Sequence, residues 1–289
     1  MFVHGDNLTQ KENHRTKYRD ADSRRFLVEI RERYDGWRQA NEALNGPSAE
    51  QSDDDDAILL ERTRLLCGYK DFVDQQHYAE KFDSRSNLHS AVIEEFMYYL
   101  FMDLVASLSG DALIGKSHSF KDIFFRAPSF RELLTNPHQV IEKKDHDFVI
   151  GAYIETESWS RGGEGRQRET LEVPVVAIEC KTYLDKTMLE GASMAADQLK
   201  ARNPNALCLI VAEWLKLTEG INLKKYRVDQ IFILRKQKNT DREFRYLDTY
   251  EKNPIYPDVV VQLFRTVRDH LTVDWTERIR DGIDRGWLL

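Results

Sequence analysis

The sequence has few cysteines and no long apolar run. Its 289 residues include three cysteines, Cys67, Cys180 and Cys208, an odd number without a Cys-x-x-Cys pair. We therefore expect neither a disulfide framework nor a cysteine-based zinc site. The apolar run at residues 207–212 is far shorter than the roughly 18 residues of a membrane span. Residues 1–25 lack the apolar segment of a secretory signal. These absences predict a soluble, cytoplasmic protein with no membrane partner.

An excess of positive charge is also absent. The 42 basic residues are outnumbered by 49 acidic ones, which gives a net charge of −7. A passive nucleic-acid coat normally carries a broad basic surface, so the composition argues against that class of protein. It does not exclude an enzyme on DNA, which needs acidic metal ligands in its site and basic residues only along the phosphates. We find no Ser-His-Asp, Cys-His or glycine-rich phosphate-binding motif.

Apolar periodicity predicts a helical first third and a mixed sheet after it. Apolar residues recur at helical spacing in 22–44, 57–78 and 88–108, and Ser129 with Glu132 resembles a capping box that opens a short helix. Beyond Pro137, β-branched and aromatic runs predict four strands, at 148–154, 173–178, 207–212 and 231–234. The first two strands predict a hairpin. A helix at 184–202 predicts a crossover to a parallel strand, and 258–287 predicts a final helix.

Glu179 and Lys181 end the apolar strand at 173–178 and are the main candidates for chemistry. Two residues apart on a strand, they point to the same side. Asp147 directly precedes the neighbouring strand of the predicted hairpin, which brings two carboxylates and a lysine together. Such hard oxygen ligands suit Mg²⁺, and a metal with a lysine can support phosphodiester hydrolysis.

A structural interpretation of the same residues is equally open at this point. The pair Glu179 and Lys181 could be a buried salt bridge that closes a sheet edge. Glu-x-Lys is a weak pattern, and a second copy begins at Glu142. Pro257 and Asp258 resemble the start of a nuclease motif, but no Glu-x-Lys follows them, so we expect them to begin a helix.

The pattern Asp147…Glu179-Cys180-Lys181 resembles the PD-(D/E)xK nuclease signature. The stretches at 90–96, 144–148, 162–165, 173–174, 177–181 and 211–213 resemble one narrower group, the BbvCI-like (Bpu-ten-I) restriction endonucleases. That resemblance implies Mg²⁺, with Mn²⁺ as a substitute, held by Asp147 and Glu179. Lys181 would serve the attacking water. Cys180 is counted with the metal site, although its thiol is expected to pack in the core behind the sheet.

The resemblance leaves two choices between neighbouring acids. Asp145 competes with Asp147 as metal ligand, and we prefer Asp147 because the strand begins immediately after it. A glutamate on the first core helix, Glu94 or Glu95, would support the metal or its water, with Glu94 as our choice. His146 is expected to point away from Asp147.

The resemblance also implies an α/β fold with a three-layer α/β/α restriction-endonuclease-like core. We expect a helical region at 1–80, the nuclease core at 81–250 and a helical region at 251–289, unless all form one domain. The implied function is a subunit of a Type II restriction endonuclease that pairs with a related but different subunit to cut double-stranded DNA at an asymmetric sequence. The alternatives are a repair or mobile-element nuclease on the same core, and a catalytically silent DNA-binding subunit.

Overall fold

Helices fill both ends of the chain and a five-stranded sheet fills the middle. The computed structural model describes residues 2–83, 87–239, 245–275, 283–284 and 286. In these residues the helices are α1 (Val3–Glu12), α2 (Ala21–Glu42), α3 (Asp55–Val73), α4 (Gln76–Phe82), α5 (Asn87–Leu108), α6 (Phe130–Thr135), α7 (Lys186–Lys200) and α8 (Pro257–Thr272). The strands are β1 (Leu113–Phe125), β2 (Gln139–Ser158), β3 (Gln167–Leu184), β4 (Leu207–Leu215) and β5 (Gln230–Ile233).

The sheet is mixed, as predicted. Its strand order is β1-β2-β3-β4-β5. Strands β1, β2 and β3 pair antiparallel, and β3, β4 and β5 pair parallel. The hairpin and the crossover through α7 expected from the sequence are therefore both present.

Helices cover both faces of the sheet, which gives three α/β/α layers. Alternate residues of β2, β3 and β4, such as Phe148, Ile178 and Val211, join the main core with the long helix α5. The intervening residues, such as Ala177 and Ile210, pack against α7 on the opposite face. This alternation follows from the period of two along a strand. The predicted fold class is confirmed, whereas the division into three regions stays a prediction.

The helix predicted at 57–78 is in fact two helices. Helix α3 ends at Val73, and Gln75 adopts an extended conformation before α4 begins at Gln76. Neither glycine nor proline occurs between Val73 and Gln76, so the local sequence does not reveal the break. The final helix is also shorter than predicted, because α8 ends at Thr272 and Val273 is extended. Most of the rest of that prediction lies outside the described residues.

Two elements, α1 and β1, were not predicted. Helix α1 has only a few apolar positions, and its polar residues hide the pattern. Strand β1 alternates from residue 113 to residue 119 between buried and more exposed positions, with Lys116 and His118 on the outer side. No helix within the described ranges combines the length and the apolar character that a membrane-spanning segment requires.

Candidate active site

The candidate site lies where β2 and β3 separate. Their pairing ends at Phe148 and Ile178, and β3 continues beyond that point alongside β4 only, with Glu179 opposite Ile210. The main-chain N–H of Cys180 therefore lacks a partner from β2. Oδ2 of Asp147 accepts this N–H at 3.0 Å, so the aspartate closes the gap where the two strands part.

An irregularity in the sheet aims Asp147 into this gap. Gly115 pairs with Val149 and Ser117 with His146, so Asp147 and Phe148 of β2 together oppose Lys116 of β1. This is a β-bulge, a feature that commonly redirects a side chain beside an active site. The sequence predicts that Asp147 directly precedes the first residue of its strand. That placement was wrong, because β2 begins at Gln139 and Asp147 lies within it.

Lys181 holds the two carboxylates together. Its Nζ donates to Oδ2 of Asp147 at 2.6 Å and to Oε2 of Glu179 at 3.0 Å. Burial alone lowers the pKa of Lys181, but the charges of Asp147 and Glu179 raise it overall. The three side chains remain between 18% and 26% exposed, so the group is open to a ligand.

Glu179 has a second neighbour in His146. Nδ1 of His146 lies 3.4 Å from Oε1 of Glu179. Burial alone raises the pKa of Glu179, yet His146 and Lys181 lower it to about 2. Glu179 is therefore an anion at neutral pH. His146 is buried and contacts Glu179, a contact that was not predicted from the sequence.

The adjacent glutamates of α5 have different surroundings. Glu94 faces the site, where Nζ of Lys116 lies 3.3 Å from its Oε2, and burial together with the nearby charge of Asp147 raises its pKa. Glu95 points away and is fully buried. Its carboxylate accepts hydrogen bonds from Tyr34, Tyr99 and two main-chain N–H groups. Of the two candidates, only Glu94 lies beside Asp147 and Lys181.

The side chains of Asp145 and Cys180 are poorly suited to bind a metal at the candidate site. The Asp145 side chain is 71% exposed and pairs with His118, so it lies outside the group formed by Asp147, Glu179 and Lys181. The Cys180 thiol is in the main core, where burial raises its pKa well above the usual range. A neutral, buried thiol is a poor metal ligand, which leaves the main-chain carbonyl as the group Cys180 can offer.

A cavity of about 630 Å³ opens onto the candidate site. Its wall includes Asp147, Lys181 and Glu94. Several further residues of the wall were not predicted from the sequence. They are Lys116, His118, Arg245 and four residues of α1, namely Val3, Asp6, Asn7 and Gln10. The alternation along β1 was the only signal that could have found Lys116. No pattern in the sequence connects α1 with this cavity.

The oxygen donors at the edge of the cavity suit Mg²⁺. Asp147 and Glu179 supply carboxylate oxygens, and an ammonium group, that of Lys181, already lies between them. Three or more His, Cys, Asp or Glu side chains do not come together as a metal-binding group in the described parts of the chain. Mg²⁺ does not need such a group, because it commonly takes one or two carboxylates and keeps several waters.

The architecture is that of a restriction endonuclease. The chain is similar to a chain of the solved structure described as the native BbvCI A2B2 tetramer at low resolution, with a TM-score of 0.66 and 18% sequence identity. The similarity covers 93% of this chain and 96% of that chain. No curated protein sequence matches the chain.

The family described as Bpu10I restriction endonuclease matches residues 85–288. The chain belongs to this family, and it is thus a subunit of a Type II site-specific deoxyribonuclease. The resemblance stated from the motifs is confirmed at the level of the family. The family match favours a restriction enzyme over a repair or mobile-element nuclease.

Proposed function

We propose that this subunit hydrolyses one strand of duplex DNA with Mg²⁺ at the cavity lined by Asp147 and Lys181, with Glu179 paired to Lys181 beside it. The observation that carries the proposal is the position of the Lys181 ammonium between two carboxylates, 2.6 Å from Asp147 and 3.0 Å from Glu179. A buried salt bridge with no other role would gain nothing from facing a cavity, whereas a hydrolytic site needs that access.

Each side chain has a distinct role in the proposal. Asp147 and Glu179 would hold the metal, and the main-chain carbonyl of Cys180 would be a further ligand. A bound Mg²⁺ supplies positive charge to the scissile phosphate and makes a water molecule more acidic. Lys181 orients the attacking water and stabilises the negative charge that develops on the phosphate. Glu94, beside Asp147, accepts a proton or a hydrogen bond from water. The products are a 5′-phosphate and a 3′-hydroxyl.

The metal ligands are tested with two neighbouring aspartates. Asp147→Asn should abolish cleavage and weaken the binding of Mg²⁺ or Mn²⁺ in titration calorimetry. Asp145→Asn is the matched control, since Asp145 is exposed and paired with His118, and it should keep both properties. Retained cleavage in Asp147→Asn with loss in Asp145→Asn would transfer the ligand role to Asp145. Retained cleavage in both variants would refute the site.

We also propose that a second, related subunit cuts the other strand. One site of this kind holds one scissile phosphate, so a double-strand break requires two sites. The solved BbvCI assembly is described as an A2B2 tetramer, and two unlike subunits suit an asymmetric sequence, whereas a symmetric homodimer reads a palindrome.

A supercoiled plasmid tests the second subunit. With Lys181→Ala in this chain alone, the assembled enzyme should stop at nicked circles, whereas the unmodified enzyme proceeds to linear DNA. Linear product from the variant, or cutting of a palindrome by this chain alone, would contradict the proposal. Linear product would also support the alternative that this chain is a silent DNA-binding subunit.

A further inference from the structure

Helix α1 presents one polar face to the cavity of the candidate site. Val3, Asp6, Asn7 and Gln10 all line the same cavity as Asp147 and Lys181. They are spaced at i, i+3, i+4 and i+7, which is one side of an α-helix. The match to the family begins only at residue 85, so this face lies outside the part of the chain that the family match covers.

The helix is held beside the site by a buried anchor. Glu95 accepts the main-chain N–H groups of His4 at 2.8 Å and Gly5 at 3.1 Å, in the first turn of α1, where N–H groups lack partners within the helix. Glu95 directly follows Glu94, the acid that faces Asp147. The anchor therefore fixes the distance between α1 and the candidate catalytic residues.

Gly5 shows how closely α1 is seated. A Cβ atom at this position would lie 2.3 Å from the hydroxyl oxygen of Tyr34. Tyr34 in turn donates to Glu95 at 2.9 Å. Any side chain at residue 5 would therefore push α1 away from its anchor.

The chemistry of the face suits base edges better than phosphates. Phosphate contacts come from Arg and Lys, from polar side chains that include Asn and Gln, and from main-chain N–H groups. Val3 and the acidic Asp6 do not suit a phosphate, and none of the four residues is a cation. Asn and Gln can form paired hydrogen bonds with adenine in the major groove, Asp accepts from cytosine, and an apolar side chain such as valine can contact the thymine methyl group. Lys116 and Arg245 supply positive charge to the same cavity, and this charge can attract the phosphates of the DNA backbone.

We infer that α1 reads base pairs next to the scissile phosphate, with Asn7 and Gln10 recognising adenine in the major groove. The inference rests on the proposed function, because the cavity must hold the DNA at the point of cleavage. It adds a specificity-determining element to the site. Lys116 and Arg245 then position the DNA backbone, while α1 selects the base sequence.

The test uses the assembled enzyme and duplexes with randomised positions, with cut sites identified by sequencing. Asn7→Ala and Gln10→Ala should relax the preference at one or two base pairs by about 5- to 150-fold, the usual contribution of a paired side chain–base contact. The shape-preserving changes Asn7→Asp and Gln10→Glu should shift the preferred base from adenine toward cytosine. Gln39→Ala, an exposed glutamine of α2 outside the cavity, is the matched control.

Each outcome separates this inference from the proposed function. Unchanged sequence preference in all four variants would overturn the role of α1 while leaving the cleavage site intact. A uniform loss of rate at an unchanged site would also overturn it, since it would indicate backbone contact only. Failure of the unmodified enzyme to cut any duplex with Mg²⁺ would instead refute the proposed function and, with it, this inference.

Discussion

Two groups of charged side chains contact helix α5, and they differ in access to solvent. The cleft cluster consists of Asp147, Glu179 and Lys181, with Glu94 of α5 beside it. The buried cluster consists of Lys70, Asp74, Glu213 and Arg235, with His89 of α5 beside Asp74. In each cluster a lysine pairs with two carboxylates: Lys181 with Asp147 and Glu179, and Lys70 with Asp74 and Glu213.

The buried cluster is almost entirely closed to solvent. Lys70 and Glu213 are fully buried, and their charged groups lie 3.0 Å apart. Arg235 donates to Glu213 and to Asp71, both at 2.7 Å, and to a main-chain carbonyl. Burial alone raises the pKa of Asp74, but Lys70 and His89 lower it overall. These contacts connect α3 with β4 and the segment after β5, so the cluster stabilises the fold.

The cleft cluster has the same types of groups but is partly open. Asp147 and Lys181 line a cavity, and a third acid, Glu94, lines the same cavity and has a raised pKa. An excess of carboxylates beside a cavity can be relieved by a cation from solution, which a sealed and balanced cluster cannot accept. A lysine between two carboxylates therefore indicates a site only where a ligand can reach it.

The largest effect is expected from Lys181→Ala, which should lower the cleavage rate about 10²- to 10⁴-fold, as loss of a positioned catalytic group typically does. Thermal unfolding should change little. The measurement is a time course of DNA cleavage together with a melting curve. Lys186→Ala, which removes an exposed lysine paired with Glu190, is the control. A cleavage rate of Lys181→Ala near that of the unmodified enzyme would contradict a catalytic role for the cleft cluster.

Lys70→Ala should have the opposite profile. Removal of one partner from a buried ion pair leaves uncompensated charge and costs about 3–5 kcal/mol of unfolding free energy. The free energy can be measured by urea unfolding of the purified chain. An unchanged unfolding free energy in Lys70→Ala would show that the buried cluster tolerates an unpaired carboxylate. That result would contradict a structural role for the buried cluster.

The neighbouring acids of α5 sharpen the comparison within one helix. Glu94→Gln should lower cleavage about 10- to 100-fold, the usual effect of a residue that supports a metal site, and leave stability nearly unchanged. Glu95→Gln should instead cost about 1–3 kcal/mol of unfolding free energy, because buried donors lose their carboxylate partner. Cleavage rates and urea unfolding of both variants provide the test, and identical profiles would contradict it.

The last prediction concerns pH and the position of α1. Burial lowers the pKa of His4 from 6.5 to about 3, so the folded state binds fewer protons than the unfolded state between these values. The unfolding free energy should therefore fall as the pH drops from about 6.5 toward 3. The His4→Gln variant should show a less steep decline, because the contribution of His4 is removed. Part of the decline should remain, because burial also lowers the pKa of His89. Parallel pH profiles for both proteins would contradict this assignment.

Local sequence was sufficient where one element carries the whole signal. The apolar period predicted α5 almost to its ends, and the Ser129 side chain accepts the main-chain N–H of Glu132, as the capping box predicted. Glu179 and Lys181 were recognisable because two residues on one strand share a face. The family resemblance needed only short motifs, and it is confirmed.

The structure was needed wherever distant segments meet. The sequence could not separate Asp145 from Asp147, because a bulge opposite Lys116 decides which of them reaches Lys181. The choice between Glu94 and Glu95 likewise depends on which side of α5 faces β2.

The sequence by itself determined the α/β class, the strand that carries Glu179 and Lys181, and the family. Only the tertiary structure decided that Lys181 borders a cavity while Lys70 is sealed, and that α1 forms part of the cavity wall. The physical reason is that periodicity and motifs report contacts between residues close along the chain. The solvent exposure of a side chain, and its contacts with charged residues from distant parts of the chain, are decided only when separate segments pack together.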